Sequence, residues 1–365
     1  MVSVTGNALP YQLYITHLVG TQLINAHFSA AIRAAVTAWR GRLTFVDALQ
    51  QLSDPVTLGR KLLPEVVQLL AHSGVTRGDL LAHAWEVPCM LLIGVFDPDD
   101  LPDTPLDFLP VPASEATVLA RASAIAANVA LDSSTISYGS ENGGALFVNL
   151  VVKPGEGYES EKSQKSMKGH TDGVWFPIRG EQHPYDPRIA PSPDFVCLCG
   201  LRNPKDVSTT VMPLREVLSK LTDTQISELT KPQYIVGPQF TFGKRLKQLY
   251  GFDLLVEDSQ VLFWVAGVPW IRYSHSSTQT DTEDSVAAKS AMDAFEAACK
   301  ESTQAYPLAP GDIVLVNNRI CLHGRSEVGE EYGAKSRWLL RTYGLDTTSL
   351  EPSQWQSGST HILFP

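Results

Sequence analysis

The chain changes character near residue 134, and that change limits its possible folds more than any single motif does. Before it, apolar residues recur at helical spacing. Phe45, Leu49 and Leu52, then Leu62, Val66, Leu69 and Leu70, mark residues 44–73 as helical, and Asp54-Pro55 should divide the stretch in two. The proline-rich, acidic segment 96–112 reads as a loop. Ser114 can cap a helix reaching Leu131, with Val118, Leu119, Ala122, Ile125 and Val129 along one face. After the change come short apolar and β-branched runs at 145–153, 195–201, 209–213, 261–273, 312–317 and 337–343. Helices are expected between them at 214–221, 223–230 and 286–302.

This order predicts a mainly β, α+β fold. Short strands separated by turns suit an antiparallel double-sheet jelly roll, the double-stranded β-helix, with helices shielding one sheet. The expectation is one unit over residues 1–365: a helical cap at 1–135, a jelly-roll core at 136–345 with an insertion at about 235–305, and a tail at 346–365. Residues 281–302, an acidic loop running into a helix, would act as a lid.

A hydrophobic fraction of 44% allows a substantial core. The net charge of −10 argues against nucleic acid and anionic membranes as partners, because both require a basic footprint. The five cysteines fit no disulfide framework. Cys197 and Cys199 fall on one face of a predicted strand and read as small buried hydrophobes. No secretory signal opens the chain, and no apolar run approaches the roughly 18 residues that span a bilayer, so the expected location is the cytoplasm.

Within this frame, His170-Thr171-Asp172 places a histidine and a carboxylate two residues apart, on the same side of an extended backbone. Far downstream, His323 follows a buried strand and precedes Gly324. Two histidines and one carboxylate are the ligand set of a mononuclear non-haem iron(II) site with open positions. Arg337 and Arg341 then share a strand face with Leu339 between them. Two arginines on an otherwise apolar strand are costly unless each meets an anion.

His170-Thr171-Asp172, Asn317-Asn318-Arg319 running into His323-Gly324-Arg325, Arg337 fourteen residues after His323, and Arg341 four further on together resemble the clavaminate synthase-like iron(II)/2-oxoglutarate oxygenases. That group includes amino acid β-hydroxylases of antibiotic biosynthesis, and the resemblance covers roughly residues 140–345. It implies an iron triad of His170, Asp172 and His323, with 2-oxoglutarate and dioxygen as co-reactants and succinate and CO2 as co-products. It implies Arg337 and Thr210 as the 2-oxoglutarate grip, Arg341 for the α-carboxylate of a free amino acid, and Glu141 for its amine.

Two positions depart from the pattern. Many amino acid hydroxylases of the group carry glutamate where this chain has Asp172, so stereochemistry does not carry over. Relatives acting on arginine have aspartates where this chain has Arg272-Tyr273-Ser274-His275-Ser276, although Asp281, Glu283 and Asp284 lie close behind. Desaturation or cyclisation are alternative outcomes at the same centre. A zinc hydrolase has no need of the two arginines, and a non-catalytic jelly-roll binding module would show a broken triad.

Overall fold

The computed structural model describes residues 9–251, 254–280 and 285–365, with side chains from residue 22 onward. Four helices open the chain: α1 (Leu9–Arg40), α2 (Phe45–Leu52), α3 (Pro55–His72) and α4 (Arg77–Glu86). The break between α2 and α3 falls at Asp54-Pro55 as expected. The Asp54 carboxylate accepts the Thr57 amide, and Pro55 occupies the first turn, where it forfeits no helical hydrogen bond. After the loop comes α5 (Glu115–Ala130), capped by a reciprocal Ser114–Thr117 box. Its alanines are buried on nearly every side, because α5 lies between α1, α3 and the main sheet. At Gly59 α3 packs on α5, where a Cβ would meet Val129 at an ordinary contact distance of 3.4 Å.

The main sheet holds seven strands among the described residues: β1 (Cys89–Leu92), β2 (Ser134–Tyr138), β3 (Val148–Leu150), β5 (Phe195–Arg202), β13 (Ile313–Asn317), β15 (Trp338–Leu345) and β16 (Ile362–Leu363). Only the β2–β16 pair is parallel. A smaller sheet comprises β4 (Met167–His170), β6 (Ser208–Pro213), β12 (Gln304–Pro307) and β14 (Cys321–Arg325).

Alternation along β5 and β13 sends Cys197, Cys199, Ile313 and Leu315 toward the helices. Val196, Leu198, Val314 and Val316 point the other way and pack with Val211 and Cys321 of the smaller sheet. The fold is therefore a mixed α/β arrangement of helices, a large sheet and a small sheet. Both Cys197 and Cys199 are buried, as read from their spacing.

Between the sheet strands lie α6 (Tyr158–Gln164), α7 (Leu214–Leu218), α8 (Asp223–Leu229), α9 (Phe240–Tyr250) and α10 (Val286–Glu301). Three short strands, β7 (Tyr234–Val236), β8 (Val256–Ser259) and β11 (Thr278–Thr280), make a separate sheet. The stretch expected as one strand at 261–273 is a hairpin, β9 (Leu262–Val265) and β10 (Val268–Ile271). Ala266 and Gly267 both adopt positive φ, which turns the chain tightly.

The expected lid is also corrected. Residues 281–284, including Asp281, Glu283 and Asp284, lie outside the described residues. The helix behind them, α10, buries Ala288, Ala291, Met292 and Phe295 with Met212 and Leu322 on the outer face of the smaller sheet. Its apolar stripe is used in that core. Among the described residues no helix is long and apolar enough to cross a membrane.

Candidate active site

β4 and β14 are antiparallel neighbours, and His170 and His323 stand directly opposite each other. Asp172 follows His170 just past the end of β4. Ligand atoms of His170, Asp172 and His323 all lie within 4.8 Å of one another, and all three residues are buried. The Asp172 oxygens sit 3.6 Å from His170 Nε2 and 3.5 Å from His323 Nε2. The chain thus brings together the triad read from the sequence.

Neighbouring groups fix this arrangement. His170 Nδ1 lies 3.0 Å from the Lys168 carbonyl, which can only accept, so Nδ1 carries the proton and Nε2 presents a lone pair. Asn318 accepts the Asp172 amide and donates to the carbonyls of Asp172 and Pro193, each at 2.9 Å. Gln239 accepts the Gly173 amide at 2.9 Å and donates to the Thr171 carbonyl at 3.2 Å. Gly324 is required, because a Cβ there would run into the Met167 carbonyl oxygen.

Burial and the neighbouring His323 push the His170 pKa down to about 4. Burial works against the Asp172 charge, yet the hydrogen bond and charge of His323, with Arg341 behind, hold its carboxyl below the usual carboxylate range. Neutral imidazole and ionised carboxylate are the states in which a divalent cation can be bound.

The triad opens into a cavity of about 780 Å³. Arg337, Leu339 and Arg341 all line it, as their alternation along the strand predicts. Arg337 is 5% exposed, and its Nε has no hydrogen-bond partner among the described residues. Burial, reinforced by the nearby charge of Arg325, pulls its pKa down to about 9. Arg325 instead donates to the carbonyls of Lys162 and Lys165, at 2.8 and 2.7 Å. A buried guanidinium that faces a cavity, with no ion-pair partner among the described residues, is suited to binding a carboxylate.

Arg341 lies 2.7 Å from Glu141, itself 4% exposed. Burial opposes the Arg341 charge, but Glu141 outweighs it and holds the guanidinium more firmly protonated than usual.

Thr210 is a correction. In the β6–β14 register, Val211 pairs with His323 and Thr209 with Arg325, whereas Thr210 pairs with Gly324. Thr209 therefore faces the cavity and Thr210 faces outward. Trp175 and Phe176 are core residues away from the cavity wall. Residues 272–276 do not line it either. They run beside β4, where the Tyr273 carbonyl accepts the Thr171 amide at 2.8 Å. The wall on that side comes from α6 and α9, neither of which carries a recognisable motif. Lys162, Gln239, Phe240 and Lys244 were accordingly missed in the sequence.

Comparison with known proteins agrees with this geometry. L-asparagine oxygenase of Streptomyces coelicolor is 26% identical over 280 residues, 72% of this chain and 77% of that protein. Enduracididine β-hydroxylase of Streptomyces hygroscopicus is 25% identical over 53% of this chain and 59% of its own length. An asparagine oxygenase solved with Fe(II), 3-hydroxyasparagine and succinate superposes with a TM-score of 0.66 at 22% identity, covering 88% of this chain and 98% of that one. The non-haem iron oxygenase OrfP, solved with Fe, succinate and 3-hydroxyarginine, gives 0.69 at 19% identity, covering 92% and 97%. The sequence pattern of one family, taurine catabolism dioxygenase TauD, TfdA, matches residues 109–343. That match spans well over half of the chain, which belongs to the TauD/TfdA family and is an iron(II)/2-oxoglutarate-dependent dioxygenase.

Proposed function

We propose that the protein hydroxylates an unactivated C–H bond of a free amino acid, in a biosynthetic setting such as antibiotic production. The observation that carries this reading is the buried Arg341–Glu141 pair beside the triad. An α-amino acid presents a carboxylate and an ammonium a few ångströms apart. A buried arginine and a buried glutamate in contact offer the matching charges. On binding, their mutual ion pair opens: Arg341 takes the carboxylate and Glu141 the ammonium. The substrate thereby supplies each buried charge with a new partner. An amino acid tethered through its carboxyl group would leave Arg341 unmatched.

His170, Asp172 and His323 would hold iron. Iron(II) with 2-oxoglutarate, when bound, supplies activation of dioxygen with release of succinate and CO2. Arg337 would grip the far carboxylate of 2-oxoglutarate, with Thr209 rather than Thr210 beside it. Leu339, Val196 and Leu198 form an apolar wall that keeps water from the reacting carbon. Gln239 and Asn318 hold the Asp172 loop in place. The two facing sheets are read as a double-stranded β-helix core, with helices α1 to α5 as its cap. The test is to supply iron(II), ascorbate, 2-oxoglutarate and single amino acids. An amino acid gaining one oxygen atom in step with succinate supports the reading, whereas 2-oxoglutarate turnover that no amino acid stimulates contradicts it.

A further inference from the structure

The cavity holds more positive charge than this chemistry uses. Its walls carry Lys162, Lys244, Arg245, Arg325, Arg337 and Arg341 against the carboxylates Glu141, Glu159 and Asp172. The whole chain, by contrast, has a net charge of −10. Most of these groups are accounted for. Asp172 belongs to the metal, and Glu141 and Arg341 to the ends of the amino acid. Arg337 belongs to 2-oxoglutarate, and Arg325 is held by two carbonyls. Glu159 is committed to Lys153 Nζ, 2.8 Å away.

Lys162 remains. It is half-buried on α6, which is pinned in place because Arg325 donates to the Lys162 carbonyl at 2.8 Å. Its ammonium lies 5.8 Å from the centre of the Tyr158 ring, and no described carboxylate is within ion-pairing distance. Burial holds its pKa below the ordinary lysine value, while the Asp172 charge works the other way. Lys244 and Arg245 extend the positive surface to the mouth, where Arg245 donates to the uncharged Gln248 at 3.2 Å.

We infer that Lys162 selects an amino acid whose side chain ends in an acid, pairing its ammonium with the distal carboxylate while Arg341 and Glu141 hold the α-carbon end. This inference rests on the amino acid reading above. A cationic side chain would meet no uncommitted carboxylate among the described residues of these walls and would be repelled by Lys162. A neutral amide would leave the ammonium without its counter-charge. The mouth cations raise the local concentration of anionic substrates and of 2-oxoglutarate alike.

The experiment is calorimetric titration, without oxygen, of enzyme loaded with iron(II) and 2-oxoglutarate. The ligands are aspartate, glutamate and 2-aminoadipate, their amides asparagine and glutamine, and arginine and lysine. An acid should bind at least about tenfold more tightly than its amide, as expected for a charge-assisted bond. Lys162→Gln should erase that difference while 2-oxoglutarate still binds, which also shows that the variant is folded. Amides or cationic amino acids binding as tightly as acids would overturn the inference and leave the amino acid reading intact. A preference for acids that survives Lys162→Gln would do the same. If 2-oxoglutarate binds but no amino acid does, both fall.

Discussion

Asn318 grips the backbone of Asp172 from both sides, accepting its amide and donating to its carbonyl, each at 2.9 Å. The carboxylate of the candidate triad is therefore placed by a residue 146 positions away in the chain. Asn318→Ala should strand the Asp172 amide and two carbonyls in the interior. We expect a stability loss of about 2–4 kcal/mol and iron affinity lower by about 10- to 100-fold. Thermal melting and iron(II) titration would check both, and an unchanged iron affinity would remove Asn318 from this role.

Arg337 is buried with no anionic partner among the described residues, which suits the proposed grip on 2-oxoglutarate. Arg337→Leu should raise the KM for 2-oxoglutarate steeply, by an amount corresponding to about 2–4 kcal/mol. The same variant should melt no lower than the parent when ligand is absent. A normal KM, or a large loss of ligand-free stability, would reassign Arg337 to a structural role.

Glu141 and Arg341 form an ion pair at 2.7 Å in the free protein, although Glu141 Oε1 and Arg341 Nε make no well-directed hydrogen bond among the described residues. Glu141→Gln or Arg341→Met alone leaves one buried charge unmatched and should cost about 3–5 kcal/mol. The double variant should recover much of that stability but not the activity. Chemical denaturation of the four proteins gives the coupling directly. Additive losses would mean that the pair is not coupled.

His183 packs against Trp175 with ring centroids 4.0 Å apart and planes tilted by 46°, and it is almost fully buried. Burial, aided by the charge of Arg272, lowers its pKa from 6.5 to about 4. Between those values the unfolded chain binds a proton that the folded chain does not. This contribution is therefore intact above about pH 6.5 and is lost as pH falls toward 4, by no more than about 3 kcal/mol. His183→Gln should melt with a shallower pH dependence across that window. An equal slope would show that other groups govern acid lability.

The triad and both arginines were legible because each is a chemically unusual residue in a fixed spacing: His170 with Asp172, and Arg337 with Arg341 on one strand face. The strand-face assignment at Thr209 and Thr210 was not, since a one-residue slip exchanges inward for outward and only pairing with β14 sets the register. The wall built by α6 and α9 was invisible for another reason. Both helices are short and polar, and their cavity-facing residues repeat at ordinary amphipathic spacing. The apolar stripe of α10 was visible, but not the surface it would cover. Arg341 and Glu141 were each read as substrate contacts, whereas their contact with each other depends on a fold that joins residues 200 positions apart.

The most direct measurement is the stoichiometry of succinate formed from 2-oxoglutarate per oxygen atom gained by the amino acid, in the parent enzyme and in Asp172→Ala. One succinate per oxygenated product, with turnover abolished and iron retention weakened in the variant, is the expected result. Full activity in Asp172→Ala, or amino acid oxygenation without succinate, would contradict the assignment of His170, Asp172 and His323 as a shared iron site.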